Sequence, residues 1–245
     1  MKSILPICIL LLIISCAPDS STELKIREYE GSVCGNCPKV RISIPEAEDN
    51  TKLGKSVNRA VREEIIELLD FAENKTVADI PGAIEAFTMG FRNLQNEFPE
   101  ELTGWEASVT GTKSYEDPSL LTLQMETYIF TGGAHGYGAM RYLNFDKKTG
   151  AELSGTELLN DPEAFSEFAE KAFRKTYDIP EEAPINSTGF MFAENRFTLP
   201  ENIGLAAEGI VLHYNPYEVA SYADGALILK IPMEQGLPFL NKPDY

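Results

Sequence analysis

A glycine-rich stretch between two strand-like runs constrains this fold more than any other feature of the sequence. It extends from Tyr128 to Phe145. Four glycines surround its turn: Gly132, Gly133, Gly136 and Gly138. Because glycine has no Cβ, it adopts positive φ and lets another backbone or a ligand approach closely. We therefore expect a hairpin whose loop is shaped by its backbone rather than by its side chains.

The histidine of this loop, His135, has two interpretations. In the first, it lies at the mouth of a binding loop with five neighbours: Thr131, Gly132, Gly133, Gly136 and Tyr137. In the second, its imidazole bonds to the backbone and holds the hairpin. We favour the second, because an isolated histidine lacks the partner residues that catalysis requires.

The N-terminus predicts export. Lys2 precedes an apolar run, Ile4–Ile14, of about half the ~20 residues that span a bilayer, as in a signal peptide. The run ends in Ser15 and Cys16 and resembles the bacterial lipobox. That resemblance implies that residues 1–15 are a signal peptide and that Cys16 carries a lipid. The alternative is an ordinary signal peptide with an incidental cysteine.

Residues 16–23 are small and polar and predict a lipidated tether. No later stretch is long and apolar enough to span a bilayer. We therefore expect an exported protein that is anchored by its lipid to a bacterial membrane, at the periplasmic or the cell-surface face.

The charge balance restricts the partners. The chain has 21 basic and 38 acidic residues and a formal net charge of −17. Removal of the predicted signal peptide would also remove the positive charge of Lys2. Such a balance repels nucleic acid and anionic headgroups, and it favours encounter with a cationic partner. Solubility outside the cell is the simpler explanation of the acidity.

Cys34 and Cys37 are separated by two residues. In an oxidising compartment, two cysteines this close usually form a disulfide, here at a tight turn. A redox motif would need its first cysteine at a helix N-terminus, whereas the residues after Cys37 alternate like a strand. A zinc site would need a second pair of ligands, which the sequence does not offer nearby.

Hydrophobic periodicity predicts an α+β fold, with mainly antiparallel sheets and helices packed on one face. Helices are predicted at Ser56–Glu73, after Pro81 and from Asp161–Pro162. Strands are predicted at Leu24–Val33, Val40–Ile44, Trp105–Tyr115 (with Gly111 as a bulge), Leu121–Ile129, Ala139–Phe145, Arg196–Leu199, Leu205–Tyr214 and Ala226–Ile231.

The sequence offers little catalytic chemistry. Its two histidines, His135 and His213, are far apart, and no nucleophile elbow, phosphate loop or calcium loop is present. We predict no catalytic residue, no metal site and no cofactor. Carboxylate pairs of the kind used in glycoside hydrolysis stay open, because 38 acids form many pairs.

Three stretches together resemble one family of bacterial envelope domains: Thr131–Gly136, Asn144–Gly150 and Asn215–Gly225. Cys37–Val40 and Ile44–Pro45 fit the start of its pattern. The family comprises RsiV-type anti-sigma factor ectodomains and the non-catalytic region of PdaC-type peptidoglycan deacetylases, much of it of unknown function.

The resemblance implies two linked α+β halves, a PdaC-like half at 24–146 and a half like the RsiV C-terminal region at 147–245. It implies binding rather than catalysis. The RsiV-type member senses lysozyme, a cationic protein, in agreement with the acidity here. We expect neither transmembrane signalling nor deacetylation, because the segments for both are missing. Pro232–Leu240 departs from the pattern by placing Gly236 and Pro238 where a short closing helix is expected.

These arguments predict a monomeric, lipid-anchored envelope protein without enzymatic activity that recognises a lysozyme-like protein or peptidoglycan. One alternative is a carboxylate-dependent hydrolase of cell-wall glycan, and another is a structural envelope lipoprotein. A cleft lined by paired acids with raised pKa values would favour the hydrolase. A broad surface with acids around apolar residues would favour partner binding.

Overall fold

The computed structural model describes residues 21–32, 34–35, 37–71, 76–100 and 103–241. The predicted signal peptide and Cys16 lie outside these residues. The described chain forms two β-sheets and four helices, an α+β fold of two linked halves as predicted. Each sheet has its own hydrophobic core. No described helix combines the length and the apolar character that crossing a bilayer requires.

The first sheet holds six strands in chain order: β1 (Leu24–Glu30), β2 (Lys39–Ala47), β3 (Glu106–Glu116), β4 (Leu120–Phe130), β5 (Tyr137–Asp146) and β6 (Glu152–Leu153). Neighbouring strands are antiparallel except β2 and β3, which are parallel. A parallel pair needs a long crossover, and two helices supply it here. The prediction of mainly antiparallel sheets is confirmed.

The crossover helices, α1 (Lys52–Leu69) and α2 (Ile80–Glu97), pack on one face of the first sheet. Both begin at a side-chain cap: Gly54 donates its N–H to Thr51 Oγ1 at 3.0 Å, and Gly82 to Asp79 Oδ1 at 2.8 Å. The Thr51 cap explains why α1 begins one turn before the predicted Ser56.

The second sheet is a three-stranded antiparallel meander of β7 (Ile203–Ala206), β8 (Gly209–Tyr214) and β9 (Leu227–Pro232). Helix α3 (Pro162–Thr176) packs on it through the fully buried Phe165 and Phe173. Asp161 caps α3 as predicted, accepting the N–H of Ala164 at 3.0 Å. A short closing helix, α4 (Met233–Gly236), is present despite Gly236.

Two strand predictions in the second half were wrong. Arg196–Leu199 is extended but unpaired, because the apolar alternation reflects Phe197 packing beside Phe173 in the second core. Leu205–Tyr214 is not one strand. The chain turns between β7 and β8, where Gly209 has a φ of +148°, and the two strands form a hairpin.

Gly111 is not the bulge that we predicted in β3. The register shifts between Lys113 and Tyr115 instead. Gly111 has a packing role, because a Cβ at this position would lie 2.6 Å from Pro45 Cδ.

The two halves meet on the face of the first sheet opposite α1 and α2. Asn144 donates to the carbonyl of Ile203 at 2.8 Å, and the buried Thr122 donates to Asn144 at 2.9 Å. Ser114 donates to the carbonyl of Leu205 at 2.7 Å. Side chains of the first sheet therefore donate hydrogen bonds to the free carbonyl groups along the outer edge of β7. These bonds fix the second sheet against the first.

Candidate functional site at the domain junction

The glycine-rich hairpin loop, residues 131–136, connects β4 and β5. Gly132 and Gly133 have φ values of +110° and +89°, which explains glycine at both positions. Gly136 has a different role. Its Cα lies against the ring of Tyr128, and a Cβ would meet ring atoms at 2.5–2.6 Å. The loop is shaped by its backbone, and at Gly136 also by an aromatic ring.

His135 reaches from this loop to the second half of the chain. Its ring stacks on Tyr222, with centroids 3.9 Å apart and planes inclined by 15°. Its Nδ1 lies 3.1 Å from the carbonyl oxygen of Gly136. A carbonyl only accepts, so this bond assigns the proton to Nδ1. His135 therefore has the backbone contact of the second interpretation and also belongs to an aromatic surface.

Five rings from the two halves form what we call the tyrosine surface: Tyr128, His135, Tyr137, Tyr217 and Tyr222. Tyr222 donates its hydroxyl to the carbonyl of Gly136 at 2.8 Å. Tyr137 reaches the carbonyl of Pro216 at 3.4 Å, and the ring of Tyr217 lies 5.3 Å from that of Tyr222. Tyr217 is 58% exposed, and Tyr128 and Tyr137 are each 38% exposed. The surface thus presents aromatic rings to solvent.

Tyr217 is held in an unusual backbone conformation. Its φ is +71°, a region that bulky residues rarely occupy. A turn enforces it: Glu218 donates its N–H to the Asn215 carbonyl at 3.1 Å, and Asn215 donates its N–H to the Glu218 carboxylate at 2.9 Å. Strain of this kind concentrates at functional sites, and here it accompanies the most exposed tyrosine of the surface.

Two asparagines fix the second half to the free edge of β5. Met140 donates its N–H to Asn215 Oδ1 at 2.9 Å, and Asn215 Nδ2 donates to the Met140 carbonyl at 3.1 Å. Asn202 bonds in the same way, accepting from Tyr142 N at 2.8 Å and donating to the Met140 carbonyl at 2.6 Å. The two side-chain amides occupy the place of a further strand. They hold Tyr217 and Tyr222 beside the glycine-rich loop.

The electrostatics of the surface depend mainly on Glu218. Burial raises the pKa of Glu218, an effect that the backbone N–H of Asn215 partly offsets. Burial also raises the pKa of Tyr137, and the charge of Glu218 adds to the rise. His135 has no hydrogen bond to a hydroxyl, thiol or carboxylate of the described chain. The surface therefore lacks the nucleophile–base pair that covalent catalysis uses.

Metal binding finds no support either. Within the described ranges, no three His, Cys, Asp or Glu side chains converge in a way that could hold a metal ion.

Cys34 and Cys37 lie at the same end of the first sheet as the glycine-rich loop. The structure joins them in a disulfide, with Cα atoms 5.2 Å apart. The next element is strand β2, which begins at Lys39. The pair therefore lacks the following helix that lowers the thiol pKa in redox motifs.

Comparison with known families identifies both halves. Residues 34–137 match the model of the deacetylase PdaC family, and residues 156–234 match that of DUF3298, a protein family of unknown function. Each half of the chain is therefore similar to one of these two families. These matches confirm the resemblance seen in the sequence, and they place the chain among cell-envelope-related proteins of unknown function. The name of the PdaC family does not itself show deacetylase activity here.

Solved structures share the fold. A DUF3298 family member from Bacteroides fragilis is 19% identical, with a TM-score of 0.66, over 90% of this chain and 93% of that one. A DUF3298 family protein from Pseudomonas aeruginosa is 22% identical, with a TM-score of 0.60, over 89% of this chain and 93% of that one. No curated protein matches the chain. At these identities the likeness establishes the fold alone.

The tyrosine surface is built across both domains. The PdaC-type match ends at Tyr137, and Tyr217 and Tyr222 belong to the DUF3298 match. The predicted loop residues thus form one side of the surface. Sequence reasoning missed the other side, Tyr217 and Tyr222, as well as Tyr128. The signal was the Asn215–Gly225 stretch, which served only to identify the family.

Proposed function

We propose that this protein is a lipid-anchored, non-catalytic envelope protein that recognises a cell-wall-related partner at the tyrosine surface. One observation carries the proposal. Two stretches that mark the family, more than 75 residues apart in sequence, meet in a single exposed aromatic surface. Export and lipid attachment at Cys16 are part of the proposal, and rest on the N-terminal sequence.

The glycan of peptidoglycan is the partner that the geometry supports best. Sugar rings present apolar C–H faces, which stack on flat aromatic side chains such as the exposed ring of Tyr217. The backbone N–H groups of Gly132, Gly133 and Ala134 have no hydrogen-bond partner in the described structure, so they are free to bind sugar oxygens. The acidity of the chain favours a neutral glycan over a polyanionic one.

A lysozyme-like cationic protein is the second candidate, and it is favoured by the net charge of −17. Exposed tyrosines are common anchors of protein interfaces, and polar rims surround them. Glu218 and Asp224 lie in the same segment as Tyr217 and Tyr222 and supply acids at the rim.

The hydrolase alternative has weaker support. Burial raises the pKa of Glu64, and the neighbouring Arg141 partly offsets this rise. However, Glu64 does not line the cleft between the domains, and it lies on α1 rather than at the glycine-rich loop. A general acid must reach its substrate, so a raised pKa at this position does not favour glycan hydrolysis.

Calorimetric titration of the full chain in detergent tests the proposal. We expect soluble peptidoglycan fragments to bind. Tyr217→Ala should lower their affinity at least about 10-fold, because one stacked ring is lost. Met89→Ala, which truncates a similarly exposed apolar side chain on α2, serves as the control and should have no effect.

Lysozyme is titrated in parallel at low and high salt. Binding of lysozyme alone, weakened by salt and by Tyr217→Ala, would replace the glycan with the second candidate. If neither partner binds at low salt, or if both variants behave alike, the tyrosine surface is not the recognition site.

A further inference from the structure

A second concavity lies where the two domains meet along the edge of β5. It encloses about 630 Å³ between α1, β5, β6 and the residue that precedes Asn202. Ligand sites commonly enclose about 300–1,000 Å³ and lie at domain junctions. Its charged lining comes from both domains: Arg59, Arg141, Glu152 and Glu201. None of these residues belongs to the tyrosine surface.

The two arginines of the groove differ in how many of their terminal nitrogens already have a carboxylate partner. Arg59 donates to Glu63 at 2.9 Å and to Glu152 at 3.2 Å, so both of its terminal nitrogens are engaged. Arg141 contacts Glu64 at 3.2 Å, but only through Nε. Its two terminal nitrogens have no acceptor among the described residues. They form a vacant fork of donors, the geometry that binds a carboxylate in a bidentate manner.

Glu201 is the complementary group. Its carboxylate forms no ion pair or hydrogen bond with any residue that the structure describes, although it lines the groove. Its backbone is fixed, because the carbonyl of Glu201 lies within 2.8 Å of where a Cβ on Gly155 would be. The groove therefore holds an unpaired carboxylate on a fixed segment of backbone.

The spacing of the two groups is set by a bond between their neighbours. Tyr142 donates its N–H to Asn202 Oδ1 at 2.8 Å, and Arg141 and Glu201 each precede one of these partners. With consecutive Cα atoms 3.8 Å apart, this bond keeps the Cα atoms of Arg141 and Glu201 within about 12 Å of each other. Long side chains from these positions can hold the two ends of a short molecule.

We propose that this groove binds a short peptide that carries a free amine and a free carboxylate. The carboxylate pairs with the terminal nitrogens of Arg141, and the ammonium pairs with Glu201. With Glu63 and Glu64, the partners of the two arginines, four carboxylates lie in or beside the groove against two guanidinium groups, so a peptide with a second amine binds more tightly than one without it. This site goes beyond the proposed function, because its residues and its chemistry differ from those of the tyrosine surface.

The test uses the full chain in detergent and the dipeptide lysyl-alanine, titrated by calorimetry. We expect saturable binding. Acetylating the α-amine or amidating the carboxylate should each weaken it at least about 10-fold, because each change removes one charge-assisted pair.

Arg141→Lys keeps the charge but loses the fork, and Glu201→Gln keeps the shape but loses the charge. Both substitutions should weaken the binding of lysyl-alanine at least about 10-fold. The exposed Arg92→Lys and Glu181→Gln are the matched controls and should bind as the unaltered chain does. Thermal unfolding of each variant shows that the fold is intact.

No heat with lysyl-alanine at about 10 mM, where weak ligands of this size are still detected, would overturn the proposal. Equal binding of the blocked dipeptides, or equal binding by Arg141→Lys and Arg92→Lys, would do the same.

The required chemistry occurs both in free peptides and in the peptide side chains of peptidoglycan. A disaccharide–peptide fragment, compared with the peptide alone, distinguishes these sources. If the fragment binds more tightly, and if Tyr217→Ala removes the difference, both sites act on peptidoglycan. Peptide binding without any glycan binding would contradict the proposed glycan recognition and would still support the groove as a peptide site.

Discussion

The imidazole of His135 lies flat on the phenol ring of Tyr222, with centroids 3.9 Å apart, and the two rings belong to different domains. The hydroxyl of the same tyrosine bonds to the carbonyl of Gly136. The tyrosine surface consequently exists only when the PdaC-type and DUF3298 domains are docked. Changes that loosen the docking should therefore affect partner binding before they unfold either core.

Replacing Tyr217 should separate strain from recognition. Glycine accepts the φ of +71° without penalty, whereas alanine does not, so Tyr217→Gly should be about 1 kcal/mol more stable than Tyr217→Ala. Both should lose the stacked ring and bind glycan equally weakly. Urea unfolding and glycan titration measure the two effects. Ala223→Gly, at an ordinary φ in the same segment, should lower stability instead. Equal midpoints for the two Tyr217 variants would show that the backbone is not strained.

Removing the amide of Asn215 should weaken the domain junction. Asn215→Ala leaves the N–H of Met140 without its acceptor, and the bond is partly buried, so the loss should cost about 1 kcal/mol. The same change uncovers part of the β5 edge, which favours pairing with another chain. We expect a lower urea midpoint and a larger species in light scattering at high protein concentration. A variant that unfolds like the unaltered chain would show that the asparagine pairing does not hold the domains together.

Stability should depend on pH through Glu116. Burial alone would raise its pKa, but hydrogen bonds from Lys113, Lys147 and Thr22 lower it from 4.5 to about 2. Because the folded pKa is below the unfolded one, the stabilisation is complete above about pH 4.5 and is lost as the pH falls towards 2. Glu116→Gln should therefore be less stable at pH 7, and the difference should shrink across this range. Thermal unfolding from pH 7 to pH 2 measures it, with the exposed Glu28→Gln as control. A constant difference would contradict the assignment.

The Cys34–Cys37 bond should contribute modestly to stability. A loop of four residues removes little entropy from the unfolded chain, about 2 kcal/mol in the chain-entropy treatment. We expect the double variant Cys34→Ser, Cys37→Ser to unfold at a slightly lower temperature and to keep its glycan binding. Mass spectrometry after thiol alkylation measures the pairing itself. Two alkylated cysteines in the unreduced exported protein would contradict the disulfide.

Local chemistry made much of the fold predictable from sequence. Asp161 before Pro162 specified the start of α3, because a capping carboxylate and a fixed φ favour the same conformation. The strict alternation from Leu121 to Ile129 specified β4, which is buried against the helices on one side. These signals depend on residues that are close together in the chain, so a single sequence is enough to predict the elements they specify.

The tyrosine surface was only half predictable, because its second half depends on long-range contacts. The glycine-rich loop was recognised from its composition. Nothing local indicated that Asn215 would bond to Met140, 75 residues earlier, and bring Tyr222 onto His135. The strand predicted at Arg196–Leu199 failed for a related reason, since apolar alternation also arises when an irregular segment covers a core.

The contact between Thr22 and Glu116 places the N-terminal end of the described chain far from the tyrosine surface. The N–H of Thr22 donates to Glu116 at 2.6 Å, beside the start of β4, whereas the glycine-rich loop follows the end of that strand. At 3.3 Å per residue, the eleven residues of β4 separate the two points by about 30 Å. Strand β4 thus acts as a rigid spacer between the N-terminal end of the described chain and the tyrosine surface. An anchor at the N-terminus would therefore leave the tyrosine surface facing away from it.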